Sequence, residues 1–131
     1  MKRDLSRLLG NVVFVLGSFI LFLLAFEARL VIPDWLKPVG RMHPLLLHLP
    51  IVLLLLATVM ECFRSKPVQE AANGYDRFLV YVLLGALVTS GLTVIMGIFL
   101  AAEGGYDPVL LFRHKWTGVV LFYLGCGLYA W

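Results

Sequence analysis

The run FLVYVLLGALVTSGLTVIMGIFLA at positions 78–101 contains no charged residue, and it decides the fold class of this chain. As an α-helix it would be about 36 Å long at 1.5 Å per residue, whereas the hydrocarbon core of a bilayer is roughly 30 Å thick. The run is therefore predicted to be a membrane-spanning helix.

Two more apolar runs precede it and one follows it, and the overall composition is also that of a membrane protein. Of the 131 residues, 61% are hydrophobic and only 15% are charged, and the mean hydropathy is +0.92. A water-soluble domain of this size does not have such a balance. We predict an all-α integral membrane bundle of four transmembrane helices, at about 8–26, 44–63, 78–101 and 110–131, which together form a single domain over 1–131.

The segments between these helices contain residues that are typical of loops. A polar connection is expected from Arg64 to Arg77, and the glycines, aspartate and proline within 102–108 predict a turn. The first apolar run is longer than the core of a signal peptide and lacks a small-residue cleavage site, so it is interpreted as a retained helix. The sequence ends on Trp131 without a polar anchor, and we expect it to be the amino-terminal part of a longer protein.

Net charge and cysteine content narrow the possible functions. The net charge is +3, but the basic residues flank apolar runs, where they are expected to meet lipid headgroups and not nucleic acid. In the predicted topology, six basic residues share the amino-terminal side and five lie on the other, which only slightly favours a cytoplasmic amino terminus. Cys62 and Cys126 are too few for a disulfide framework and form no haem-attachment motif.

Small residues recur at four-residue spacing along the third predicted helix, at Gly85, Thr89, Thr93 and Gly97. This spacing places them on one face, where a second helix can approach closely. The face is interpreted as a packing seam, with clearance for a cofactor as the alternative. Gly118 and Gly125 on the fourth helix could serve in the same way.

All three histidines, His43, His48 and His114, lie at the starts of the second and fourth helices. These two starts share one side of the membrane in either orientation. His48 and His114 are each expected about one turn inside, and two imidazoles at matched depth can ligate one haem b iron from opposite faces. His43 is expected to cap the second helix, or to act as an alternative ligand or a hydrogen-bond partner for a quinone.

The same residues admit other interpretations. The histidines could simply bond to one another, to the backbone or to water, and a zinc or copper site is a further alternative. Arg41, Arg113 and Lys115 could pair with haem propionates or anchor the helices in lipid. Pro50 could open room for a ligand beside His48, or it could be a tolerated bend.

Three stretches carry a resemblance to a known family: GRMHPLLLHLPI at 40–51, EGGYD at 103–107 and HKWTG at 114–118. Together they resemble a bacterial membrane domain of unknown function that is found fused to planctomycete-type c-type cytochrome domains. The resemblance covers nearly the whole chain. It implies a multi-pass protein of the bacterial inner membrane, with a fifth helix and a haem c domain in longer members.

The resemblance also implies a function. We expect a membrane electron-transfer subunit that binds haem b or interacts with quinone, through His43, His48, His114, Arg41, Arg113 and Lys115. It would relay electrons to or from a fused or separate periplasmic cytochrome, or a dehydrogenase, within a complex. The alternative is a cofactor-free anchor or assembly subunit of a larger complex. No set of residues predicts an independent catalytic activity.

Overall fold

The chain is all-α. The computed structural model describes residues 2–63 and 69–130, with side chains in 5–63 and 74–130, and this part contains no β-strand. The five α-helices are α1 (Lys2–Ala25), α2 (Lys37–Arg41), α3 (His43–Cys62), α4 (Gln69–Ala102) and α5 (Pro108–Ala130). A short 3₁₀ turn, Glu27–Arg29, follows α1.

Three helices are long and apolar enough to cross a membrane, over Leu5–Ala25, His43–Cys62 and Gly74–Ala102. These confirm the all-α class and the membrane character of the prediction. The fourth predicted helix exists as α5, and it carries Arg113, His114 and Lys115 near its beginning. These three polar side chains shorten its continuous apolar stretch. Trp131 lies outside the described residues.

Two expectations for the connecting segments were wrong. The predicted polar connection is helical from Gln69, because Gln, Glu and Ala favour helix and a helix can continue into water once it has left the membrane. Its beginning, 64–68, lies outside the described residues. The predicted loop before the second helix contains α2, whose Pro38 suits a helix start.

Helix α4 lies at the centre of the bundle, and α1, α2, α3 and α5 all pack against it. The core lies where α1, α4 and α5 meet. Its largest fully buried side chains are Ile20, Leu84, Leu87, Ile98 and Phe122. Tyr123 of α5 donates a hydrogen bond of 2.7 Å to the Gly17 carbonyl of α1, which joins two helices that flank α4.

Helix α3 packs against the predicted small-residue face of α4. A Cβ on Gly85 would contact Leu53 at 3.7 Å, and the Gly97 position faces His43. The outer face of α3 is apolar and uncovered, with Leu45 at 73% exposure and Leu55 at 63%. Such a face suits lipid, since apolar side chains there leave no polar group unsatisfied.

Helix α2 rests directly on the backbone of α4. Gly40 is buried, and a Cβ at this position would lie 2.9 Å from the backbone nitrogen of Leu100. Only glycine permits this approach, since a backbone atom cannot move aside as a side-chain end can. The contact places the end of α2, and therefore the start of α3, beside the last turns of α4.

Replacing Gly40 tests this contact. Gly40→Ala should lower the free energy of unfolding by about 2 kcal/mol, the usual cost of overpacking. Gly74→Ala is the matched control within α4, because a Cβ there meets nothing within 4 Å. It should be neutral or stabilise by up to about 1 kcal/mol, since alanine is the better helix former. Circular dichroism during unfolding in mixed micelles measures both, and equal effects would contradict the role of Gly40.

Candidate functional site

His43 and His114 meet between the start of α3 and the beginning of α5. Their ring centroids are 5.8 Å apart, and the ring planes are perpendicular. His43 is half-buried and His114 is exposed at the surface of the protein. The structure therefore brings together two histidines from different helices, as expected, but the member from α3 is His43.

The ring of His43 is held in one orientation by α4. Its Nδ1 lies 2.8 Å from the backbone carbonyl oxygen of Thr93. A carbonyl oxygen only accepts, so Nδ1 carries the proton and Nε2 of the neutral ring has a free lone pair. The expectation that His43 caps α3 is corrected, because the N-cap residue is Met42 and no side chain bonds to the cap. His43 instead joins α3 to α4.

Gly97 makes room for this ring. A Cβ at position 97 would lie 3.0 Å from Cε1 and 3.1 Å from Nδ1 of His43. Gly85 faces Leu53 and Gly97 faces the imidazole of His43, so both glycines pack against side chains of α3. The alternative, clearance for a cofactor, stays a prediction.

His48 lies apart from the pair. It lies five positions after His43, which corresponds to about 140° around a helix at 100° per residue. Its ring is exposed, and Nδ1 lies 3.1 Å from the carbonyl oxygen of Pro44 in its own helix. The expected pairing of His48 with His114 is therefore not the one that the structure forms.

A groove of about 280 Å³ separates α3 from α5 over the surface of α4, and both histidines line it. Its apolar walls include Leu54, Val94 and Leu121, and Pro50 lies on its α3 side. A few polar groups interrupt these walls: His43, Ser90, Thr93, His114, Lys115 and Thr117. An apolar cleft with a few convergent polar groups is the usual form of a small-molecule site.

A second cavity, of about 330 Å³, lies on the other side of the histidine pair. It shares His43, Gly97, Leu111 and His114 with the groove, and it extends past Ala101 towards the turn before α5. In that turn Gly104 and Gly105 have φ of 78° and 85°, values that favour glycine. Asp107 then caps α5, its Oδ1 accepting from the backbone N–H of Val109 and Leu110 at 3.0 and 2.9 Å.

Two of the three cations predicted for propionates are bound by carboxylates of the chain. Arg41 donates to Glu103 Oε2 from Nε at 3.2 Å and from Nη2 at 3.0 Å. This hydrogen bond and the charge of Glu103 raise the pKa of Arg41. Lys115 donates to both carboxylate oxygens of Glu27 at 2.6 and 2.7 Å. Arg113 is exposed.

The site therefore fits some cofactors better than others. The His43–His114 pair can offer two nitrogen ligands, and the Nδ1 bond to a carbonyl is a usual way to orient a ligating imidazole. The paired cations fit propionates poorly. Among the described residues, no three His, Cys, Asp or Glu side chains converge on a position for a metal ion. A zinc or copper cage is thus without support in this part of the chain.

Comparisons of the chain with protein-family models, curated proteins and solved structures found no match. The resemblance to the bacterial membrane domain therefore rests on the three quoted motifs and stays a prediction.

Sequence reasoning placed His48 ahead of His43 as the partner of His114, and it missed the two carboxylates. The groove residues of α3 follow a helical stripe from His43: His43, Leu47, Pro50, Ile51 and Leu54. Only packing decides that this face of α3 meets α4. His48 does not belong to this stripe. No local signal indicated Glu27 and Glu103, because their partners lie 88 and 62 positions away.

Replacing Gly97 tests how His43 is held. Gly97→Ala should displace the ring and break its bond to Thr93, so that the Nδ1-protonated form loses its preference. Gly118→Ala is the matched control, because a Cβ there meets Val94 at an ordinary 3.7 Å. ¹⁵N NMR of histidine-labelled protein should show a changed Nδ1 signal for His43 in the first variant only. An unchanged signal in Gly97→Ala would contradict the proposed clearance.

Proposed function

We propose that this protein is a membrane electron-transfer subunit that binds the headgroup of a quinone at His43 and His114. The observation that carries the proposal is an apolar groove between α3 and α5 that ends at two imidazoles from different helices. In this proposal α5 is the fourth transmembrane helix, and the protein resides in the bacterial inner membrane with its amino terminus in the cytoplasm.

The chemistry of the two rings supports a quinone. Nε2 of His43 is left as an acceptor by the Thr93 bond, so it can accept from a hydroquinone hydroxyl. His114 can donate to a quinone carbonyl or accept from a hydroxyl, depending on its tautomer. One headgroup can thus be held in both its oxidised and its reduced form.

The position of the groove supports a lipid-soluble ligand. Ile51, Leu54 and Leu121 line it, on the membrane-core side of the histidines along α3 and α5. An isoprenoid tail can lie along these side chains and leave between the two helices into the lipid. No polar group needs to be uncovered for this path.

Haem b is the second candidate at the same pair. The support for it is the oriented His43 ring opposite a second imidazole, which suits two axial ligands. The Arg41–Glu103 and Lys115–Glu27 ion pairs count against it, because propionates would have to displace both carboxylates. We therefore rank quinone first.

Histidine variants test the quinone site. In purified protein, His43→Ala and His114→Ala should each weaken decylubiquinone binding about tenfold, which corresponds to a hydrogen bond worth about 1.4 kcal/mol. His48→Ala is the control and should bind as the wild type does, because its ring lies outside the groove lining. Isothermal titration calorimetry measures all four proteins.

Optical spectra separate the two candidates. A pyridine haemochrome signal of b type that is lost in both His43→Ala and His114→Ala would favour haem over quinone. If the protein binds neither decylubiquinone nor haem, the proposal fails. A cofactor-free anchor subunit, held in its complex by the apolar outer face of α3, would then explain the fold better.

A further inference from the structure

The histidine pair divides two cavities that open towards different surroundings. The groove extends along α4 to Ser90 and along α5 to Leu121, which is the direction of the membrane core. The second cavity extends along α4 to Ala101 and reaches Asp107 at the start of α5. From Ser90 to Ala101 the two cavities together follow α4 for about 16 Å.

The far end of the second cavity belongs to the polar end of the bundle. Tyr106 is 50% exposed, and Asp107 is exposed as well. Both stand in the turn between α4 and α5, outside the apolar part of either helix. Water can therefore reach this end of the cavity, whereas the walls of the groove are mostly apolar.

We propose that the second cavity is an aqueous vestibule through which His43 and His114 exchange protons with the medium on this side of the membrane. Its use in electron transfer rests on the proposed function, but the vestibule itself requires no quinone. The inference comes from two cavities that share four lining residues, two of which are imidazoles.

The bond between His43 and Thr93 restricts proton transfer at His43 to one ring nitrogen. Because Nδ1 is bonded to the carbonyl, a proton arriving from a ligand must be accepted at Nε2. When a hydroquinone is oxidised by two one-electron acceptors of the ferric haem class, its two O–H bonds break and two protons must leave. The histidines accept them one at a time and release them into the vestibule, while both electrons pass to the acceptors.

Two ion pairs and a helix cap engage charged groups near the histidines. Within each of the ion pairs Arg41–Glu103 and Lys115–Glu27, the two opposite charges neutralise one another. Asp107 lines the vestibule, and its Oδ1 is engaged by the start of α5. Tyr106, Arg113 and His48 are further titratable groups at this end of the bundle.

Deuterium exchange at Cε1 of the histidines tests the vestibule without any quinone. This slow exchange requires that water protonate the ring, and mass spectrometry assigns it to each histidine of the full chain in nanodiscs. Ala101→Phe should fill the vestibule and slow exchange at His43 and His114 several-fold. Ser90→Phe fills the groove instead, so it should leave exchange unchanged and abolish decylubiquinone binding.

Two controls keep the outcomes distinct. His48 lines neither cavity, so its exchange should be the same in every variant. Leu110 also lines the vestibule and is 67% exposed, so Leu110→Trp can obstruct the vestibule without overpacking the core. This variant replaces Ala101→Phe in the test if Ala101→Phe loses helicity. Unchanged exchange in the folded vestibule variants, or slowed exchange in Ser90→Phe, overturns the vestibule. Neither result depends on whether the protein binds quinone.

Discussion

The close approach of α3 to α4 at Gly97 is the constraint on which the site depends. The His43 ring of α3 lies against Gly97 of α4, and its Nδ1–H donates to the backbone carbonyl of Thr93, four residues before Gly97. This contact sets which nitrogen of His43 is free and how the ring stands beside His114. A larger residue at position 97 would change both.

Close backbone contact recurs elsewhere around α4 and has a common physical cause. Helices in a bilayer gain nothing from excluding water from one another, so their association depends on packing and on hydrogen bonds. Gly40 lets α2 touch the backbone at Leu100. Gly125 of α5 lies so close to Leu87 that a Cβ on it would be only 2.6 Å from Leu87 Cδ2. Glycine at these positions brings α2 and α5 against the central helix. The groove is what remains between α3 and α5 when both pack on α4.

The two ion pairs complete the polar end of the bundle. Each joins a cation near the histidines to a carboxylate that is remote in sequence. Arg41 of α2 pairs with Glu103 at the end of α4, and Lys115 of α5 pairs with Glu27 in the turn after α1. Lys115 is only 15% exposed in its side chain, and a charge so placed needs a partner. The pairs therefore balance the positive charges beside the histidines, including that of Lys115, which lines the groove.

The amino-acid pattern alone predicted the all-α class and the membrane character, because apolar runs of bilayer length require neither a partner nor a distant contact to be recognised. It also indicated that the histidines of two helices lie at one end of the bundle. It could not select His43 over His48, because that choice depends on which face of α3 meets α4 at Gly97. Nor could it identify Glu27 and Glu103 as partners of Lys115 and Arg41, or detect α2, which is stabilised by the contact at Gly40. Each of these was decided by tertiary packing, since it depends on residues that are far apart in the chain and adjacent only in the folded bundle.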